Sequence, residues 1–202
     1  MKNYVVIALT ASLALSANID EGFEDVAFPP TDWVSFIGEN GEGTSWDWDR
    51  STSYAHSGSA CAYIWHENVS TSAQDWLVTP KLKPDAGNNS LSFYMREKYS
   101  QEYGTTYTIR VSTDSQTDHD DFTIVRTYSE SDITTSFANY TVDLSTYNDS
   151  EIYVAFVMEQ DMGDCWYLDD VSGIPLWVPA HDYATLSNAH DSGSMPPTPL
   201  SL

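Results

Sequence analysis

Short segments in which apolar and polar residues alternate restrict the fold of this chain more than any other feature. The alternation occurs at 91–95, 107–111, 140–144 and 152–158. A period of two places successive side chains on opposite faces of a β-strand. In the last of these segments Ala155 and Val157 make the second face apolar as well, which is typical of a central strand.

Turn-rich stretches separate these segments, and no convincing helical repeat follows residue 17. Residues 84–89 and 115–121 are rich in residues that favour turns or solvent. Short strands joined by such stretches are typical of antiparallel sandwiches. The sequence therefore predicts an all-β fold in which two antiparallel sheets form a β-sandwich.

The two ends of the 202-residue chain differ from the part between them. Lys2 and an apolar run precede the small residues Ser16 and Ala17, which is typical of a secretory signal peptide. We expect a signal peptide at 1–17, one domain at 18–174, and a linker or the start of a truncated following unit at 175–202. The protein would then be secreted and act outside the cell or at its surface.

The charge of the chain excludes several classes of partner. Acidic residues outnumber basic ones by 30 to 8, so the formal net charge is −22, and no basic cluster is present. Nucleic acids and anionic lipids are therefore poor partners, and no segment after the leader is long and apolar enough for membrane insertion. Loss of residues 1–17 would remove Lys2 and leave a charge of −23. Self-repulsion of this size favours a bound cation.

The sequence contains no recognisable catalytic constellation. Catalysis would need a nucleophile beside its base, or paired carboxylates in unequal environments. His56 and His66 lack the companion residues that a zinc site would need. We therefore expect a protein that is not an enzyme.

Cys61 and Cys165 are the two cysteines of the chain. Both lie in segments that should be strands, and a secreted chain meets oxidising conditions. We predict a disulfide bond between them. The alternative is a pair of buried thiols that do not meet.

Tryptophans suggest a carbohydrate-binding surface, because an exposed aromatic ring can stack on a sugar. Trp46 and Trp48 would share one face if their segment is extended, so they are the candidate ligand-binding residues. The alternative is that they pack inside the domain. Trp33, Trp76 and Trp166 are expected in the core.

Several short motifs occur in the order in which a known family of adhesion modules carries them. They lie at 22–25 (GFED), 28–33 (FPPTDW), 55–59 (AHSGS), 75–82 (DWLVTPKL), 107–123, 141–144, 153–156 and 167–171 (YLDDV). In this order they resemble the cleaved-adhesin or choice-of-anchor family, which is distantly similar to MAM domains. In the loop at 39–43, Glu39, Asn40 and Glu42 replace the family's usual aspartates.

The resemblance implies a galactose-binding-like jelly roll that binds partners at a cell surface and carries structural calcium. A jelly roll can bring its first and last strands together, and calcium prefers several oxygen ligands. We therefore expect a calcium site formed by Glu24, Asp25, a carbonyl near Ser57, and Asp169 or Asp170. The alternative is that Asp169 and Asp170 are exposed charges at a strand edge.

Three functions remain open from the sequence. The first is a secreted, non-catalytic adhesion module that recognises an extracellular protein or glycan, within a larger surface protein or alone. The second is an accessory binding domain of a secreted hydrolase. The third is a structural subunit of a surface layer or filament.

Overall fold

The computed structural model of the chain describes residues 17–38 and 46–179. The expected signal peptide, the 39–43 loop and most of the expected tail lie outside these residues, apart from Ala17 and 175–179. The strands are β1 (Asn18–Glu21), β2 (Val34–Ile37), β3 (Asp49–Ser51), β4 (Cys61–Ile64), β5 (Ala73–Val78), β6 (Ser90–Glu97), β7 (Thr106–Ser112), β8 (Thr123–Ser129), β9 (Ala138–Asp143), β10 (Tyr153–Gln160) and β11 (Trp166–Pro175). Short 3₁₀ helices lie at His119–Asp121, Glu130–Asp132 and Ser145–Tyr147. No helix in the described ranges is long and apolar enough to cross a bilayer.

The strands form two antiparallel sheets that pack face to face. The first sheet has the order β3-β4-β11-β6-β9, and β1 pairs with the second half of β11. The second has the order β2-β5-β10-β7-β8. The all-β jelly-roll prediction is confirmed, and β10 is the central strand of its sheet, as its two apolar faces indicated.

The core lies between the sheets and follows the alternation in the sequence. Its members at the predicted inward positions are Leu91, Phe93, Met95, Tyr107, Ile109, Val111, Val142, Leu144, Ile152, Val154, Phe156 and Met158, all buried. Trp33, Trp76 and Trp166 are buried as expected. The intervening Ala155 and Val157 of β10 pack on the opposite face of the second sheet, beneath Phe122.

The first and last strands lie side by side, as the jelly roll requires. Glu21 of β1 pairs with Val171 of β11, and Asn18 pairs with Pro175. Backbone pairing continues to Trp177, whose N–H group donates to the carbonyl of Lys81. Ordered pairing thus extends a few residues beyond the expected domain boundary at 174.

The predicted disulfide bond is absent, because Cys61 and Cys165 are both buried free thiols. Leu168 pairs with Ala62, so the register places Cys61 opposite Asp169, four residues along β11 from Cys165. Four residues of strand span about 13 Å. A disulfide bond needs Cα atoms about 4.4–6.8 Å apart. Both segments are structured as expected, but the register separates their sulfur atoms.

One carboxyl group is buried at the end of the core without a charged partner. Asp75 on β5 has no exposed surface, and neither of its carboxyl oxygens has a hydrogen-bond partner among the described residues. Burial raises its pKa to about 8, and the charges of Glu67 and Asp47 add to the shift. Since a buried carboxylate without a partner is costly, Asp75 is protonated at neutral pH.

The protonated Asp75 predicts a pH-dependent stability. The unfolded chain releases this proton near pH 3.9, whereas the folded chain holds it until about pH 8. The free energy of unfolding should therefore fall as the pH rises from about 4 to about 8. Asp75→Asn does not ionise, so its melting temperature relative to the parent should rise between pH 5 and pH 8. Calorimetry at both values, with exposed Asp149→Asn as control, checks this, and a pH-independent difference would contradict it.

Candidate functional site

The connection between β3 and β4, residues 52–60, folds over the outer face of the first sheet. Two acidic residues of β11 hold it there. Asp169 accepts hydrogen bonds from the backbone N–H groups of His56 (2.7 Å) and Ser57 (3.3 Å). Asp170 contacts the His56 Nδ1 atom at 2.5 Å and accepts from the Ser57 hydroxyl at 2.8 Å. The imidazole of His56 also stacks on Tyr94, with ring centroids 3.4 Å apart.

Glu24 holds the other end of the same connection. Its carboxylate accepts hydrogen bonds from the N–H groups of Ser59 (2.8 Å) and Ala60 (3.0 Å) and from the Ser59 hydroxyl (2.8 Å). These bonds, led by the Ser59 N–H, lower the pKa of Glu24. Gly58 has φ +60°, and a Cβ atom there would lie 2.2 Å from Glu24 Oε1. Glycine therefore permits both the left-handed turn and the close approach of the carboxylate.

Four of the five residues expected to bind calcium meet at this connection. Glu24, Ser57, Asp169 and Asp170 lie together there, whereas the exposed Asp25 bonds only its own turn, through the Ala27 N–H at 3.4 Å. Asp169 is fully buried, so the alternative of an exposed edge charge is wrong for this residue. Burial raises its pKa to about 6.

The sequence interpretation did not single out Glu21, a half-buried acid at the end of β1, next to this site. Its pKa is raised by burial and by nearby Asp25 and Asp20. The next residue, Gly22, has its Cβ position 3.4 Å from Asp170 Oδ1. The pairing of Glu21 with Val171 brings it to the closing strand, and only the register could have revealed this.

An open cleft of about 370 Å³ lies beside the connection on the same sheet face. We call it the aromatic cleft. Its lining includes Arg50, Tyr54, Tyr63, Trp65, Lys98 and Tyr167, together with residues 51–53.

The pairing of β4, β11 and β6 brings together the side chains at the floor of the aromatic cleft. Tyr63 of β4, Tyr167 of β11 and Arg96 of β6 are direct neighbours across three strands. The Tyr63 and Tyr167 rings stack with centroids 5.8 Å apart. Tyr54, carried by the 52–60 connection, meets Tyr167 edge to face at 5.0 Å. The anchored connection therefore supplies one wall of the cleft.

One residue further along the paired strands, Lys98 lies against the ring of Trp65. Continuing the register by one residue places Cys165 between Trp65 and Lys98. The Lys98 ammonium lies 3.6 Å from the centre of the Trp65 ring. A small side chain at 165 leaves room for this contact, which also accounts for the burial of that thiol. Trp46 extends the surface, since its ring is 48% exposed and lies 6.3 Å from Trp65.

The prediction for Trp48 is wrong, whereas Trp46 stays a candidate. Trp48 is buried, and its indole N–H donates to the backbone carbonyl of Asp75 at 3.1 Å. Its ring packs edge to face on Trp166 at 5.3 Å. The shared-face argument assumed an extended strand, but β3 begins only at Asp49, after both residues.

Sequence reasoning did not single out Tyr54, Tyr63, Trp65 or Lys98. The alternation of Cys61, Tyr63 and Trp65 with inward Ala62 and Ile64 could have placed the first three on one outer face. It could not have shown that Lys98 joins them, because this requires the pairing of β6 with β11.

Other reactive groups in the described residues do not form an activated site. Cys165 Sγ lies 3.6 Å from His66 Nδ1, but burial raises the thiol pKa to about 11, so the thiolate is scarce at neutral pH. Asp118, His119 and Asp120 could approach a metal ion together, on a surface turn.

Gly58 offers a test of how Glu24 holds the connection. An alanine there must adopt φ +60° and displace the Glu24 carboxylate, which loses bonds to Ser59 and Ala60. We expect Gly58→Ala to lower the free energy of unfolding by about 1–2 kcal/mol more than Gly104→Ala. Gly104 also has positive φ, but nothing lies within 4 Å of its Cβ position. Urea denaturation measures both, and equal losses would show that the Glu24 contact adds nothing.

Comparisons with known proteins identify structures that share this fold. No protein-family model matches the sequence, and no curated protein matches it. Among solved structures, the K1 cleaved adhesin domain of Lys-gingipain from Porphyromonas gingivalis W83 has a TM-score of 0.60 at 19% identity, over 80% of this chain and 99% of that chain. The K2 domain of Lys-gingipain has a TM-score of 0.58 at 19% identity, with the same coverage.

A carbohydrate-binding structure shares the same architecture. TmCBM61 in complex with β-1,4-galactotriose has a TM-score of 0.51 at 16% identity, over 75% of this chain and 92% of that chain. The similarity to adhesin domains expected from the motifs is thus confirmed in the structure. The chain has the two-sheet jelly-roll fold found in cleaved adhesin domains and in carbohydrate-binding modules.

Proposed function

We propose that this protein is a secreted, non-catalytic module that binds an extracellular glycan in the aromatic cleft. The observation that carries the proposal is the set of partly exposed rings of Tyr54, Tyr63 and Trp65 around one open depression. Among known proteins of this fold are adhesin domains and a module bound to a galactose oligosaccharide, which supports a binding role.

The chemistry of the aromatic cleft suits a sugar. Aromatic faces pack against the C–H groups of a pyranose ring, while nearby polar groups read its hydroxyls. Ser51, Thr52 and Ser53 supply hydroxyl groups along the lining. The volume falls within the usual range of small-molecule sites, about 300–1,000 Å³.

Removal of one ring tests the glycan proposal. Trp65→Ala deletes a stacking surface that no strand depends on, so the affinity for a glycan selected on an array should fall at least tenfold, about 1.4 kcal/mol. Tyr103→Ala removes an exposed ring that does not line the cleft and should leave affinity unchanged. Isothermal titration calorimetry measures both. Equal affinities for parent and Trp65→Ala, with the fold intact by circular dichroism, would place binding elsewhere.

We further propose that calcium stabilises the 52–60 connection. Asp169 is a buried carboxylate, Asp170 lies beside it, and Glu24 binds the other end of the same connection. Such a set of carboxylates repels itself and suits a hard cation with six to eight oxygen ligands. Glu24, Asp169, Asp170 and a carbonyl near Ser57 would hold the ion, which would relieve that repulsion.

Thermal unfolding in calcium and in chelator tests this site. Since only the folded chain assembles the carboxylates, a calcium concentration of about 100 Kd should add about 2.7 kcal/mol to the free energy of unfolding. Glu24→Gln and Asp170→Asn should reduce that gain. An unchanged melting temperature in chelator would reject calcium, and a shift that survives both substitutions would move the ion away from these residues.

A further inference from the structure

Positive charge is scarce in this chain, and much of it lies at the aromatic cleft. Of the eight basic residues, Arg50 and Lys98 line the cleft. The Arg96 guanidinium packs against the ring of Tyr54, which also lines it. Elsewhere, Lys81 and Arg110 are paired with Glu151 and Glu159, whereas Lys83 and Arg126 make no ion pair with the described residues.

The three cations at the cleft make no such pairs. No carboxylate oxygen lies within 4.0 Å of Arg50, Arg96 or Lys98 in the described parts of the chain. Thirty acidic residues are available to a chain of this length. Cations without a carboxylate at this distance keep charge that a ligand can neutralise, although the charge of Arg50 also lowers the pKa of Glu24.

Each cation is instead held by aromatic faces or by backbone carbonyl groups. Arg50 donates to the carbonyls of Phe23 (2.9 Å) and Glu24 (3.0 Å). The guanidinium of Arg96 lies 4.0 Å from the Tyr54 ring centre and 5.7 Å from that of Tyr167. These contacts fix the positions of the charges without cancelling them.

Lys98 is the cation best placed to meet a ligand. Its ammonium lies over Trp65, on the ring that a sugar would use for stacking. The nearby carboxylate of Asp164 is buried and accepts from three backbone N–H groups, those of Lys98, Tyr99 and Cys165. Asp49, paired opposite Tyr63 on the edge strand, is an acidic residue at the rim.

We propose that the aromatic cleft selects an acidic saccharide, one whose ring carries a carboxylate or sulfate group that Lys98 binds. This inference rests on the proposed glycan-binding function and names its ligand class. The Lys98 ammonium covers one face of Trp65, so a sugar packed against the other rings of the cleft places a substituent beside it, and Arg50 and Arg96 add positive potential nearby. A neutral sugar carries no negative charge that these three cations could bind. Away from the cleft the net charge of −22 repels anions, so the local cations are what makes such binding favourable.

The probes are trigalacturonate, a sulfated galactose disaccharide, and the neutral counterparts galactotriose and galactobiose. The purified parent should bind at least one acidic probe at least tenfold more tightly than its neutral counterpart in calorimetry. Lys98→Met keeps the aliphatic stem and removes the charge, so it should abolish that preference. Lys83→Met removes a cation outside the cleft and should retain the preference.

The outcomes separate this inference from the broader proposal. Preference for the acidic probe that Lys98→Met abolishes supports the inference, and the preferred probe distinguishes carboxylate from sulfate. Equal or tighter binding of the neutral probes overturns the acidic class but leaves a glycan-binding cleft. A preference that survives Lys98→Met overturns the role of Lys98. Absence of binding to every probe and to a wider glycan array overturns both proposals.

Discussion

The acidic side chains that hold the 52–60 connection are the constraint on which the candidate site depends. This segment leaves the sheet, so its N–H groups have no strand partners, and buried or half-buried donors need acceptors. Glu24 and Asp169 accept from four of these N–H groups, and Asp170 binds two side chains of the same segment. Because the connection carries Tyr54 onto Tyr167, the shape of the aromatic cleft follows from hydrogen bonds made at the junction of the first and last strands.

The two outer faces of the sandwich differ in how the chain covers the middle of each sheet. On the second sheet, Phe122 packs edge to face on Trp76 at 5.3 Å, and Arg110, ion-paired with Glu159, lies over the same ring. The chain itself covers this part of that face, while an open cleft at its edge is lined by Val34, Lys81 and Tyr153. On the first sheet the connection covers only one end, over Asp169 and Tyr94, and leaves the rows of Tyr63 and Trp65 open.

The alternation in the sequence predicted the strands and the side chains between the sheets, because burial on one face imposes a period of two. It could not predict contacts that depend on register or on how a loop folds. Cys61 and Cys165 lie in neighbouring segments yet four residues out of register. Trp48 packs into the core from the segment before β3, and Asp25 is exposed whereas Glu21 is half-buried. The meeting of Glu24, Asp169 and Asp170 at the 52–60 connection was predictable in outline, since the opening and closing motifs had to meet, but the aromatic cleft required the pairing of three strands.

The pairing of β1 with β11 also determines how the domain would respond to tension. Asn18 lies opposite Pro175, so the chain enters and leaves at the same end of one antiparallel pair. A pull on the two ends would separate this pair one hydrogen bond at a time, in an unzipping geometry that resists force less than sliding whole strands past each other. The first bonds to break are those of Leu176 with Ala17 and of Trp177 with Lys81, and the rupture would then travel along β1 from Asn18 toward Glu21. Mechanical load on the chain would therefore separate the core residues Ile19 and Ile174 first, and would then reach Glu24, which anchors the 52–60 connection.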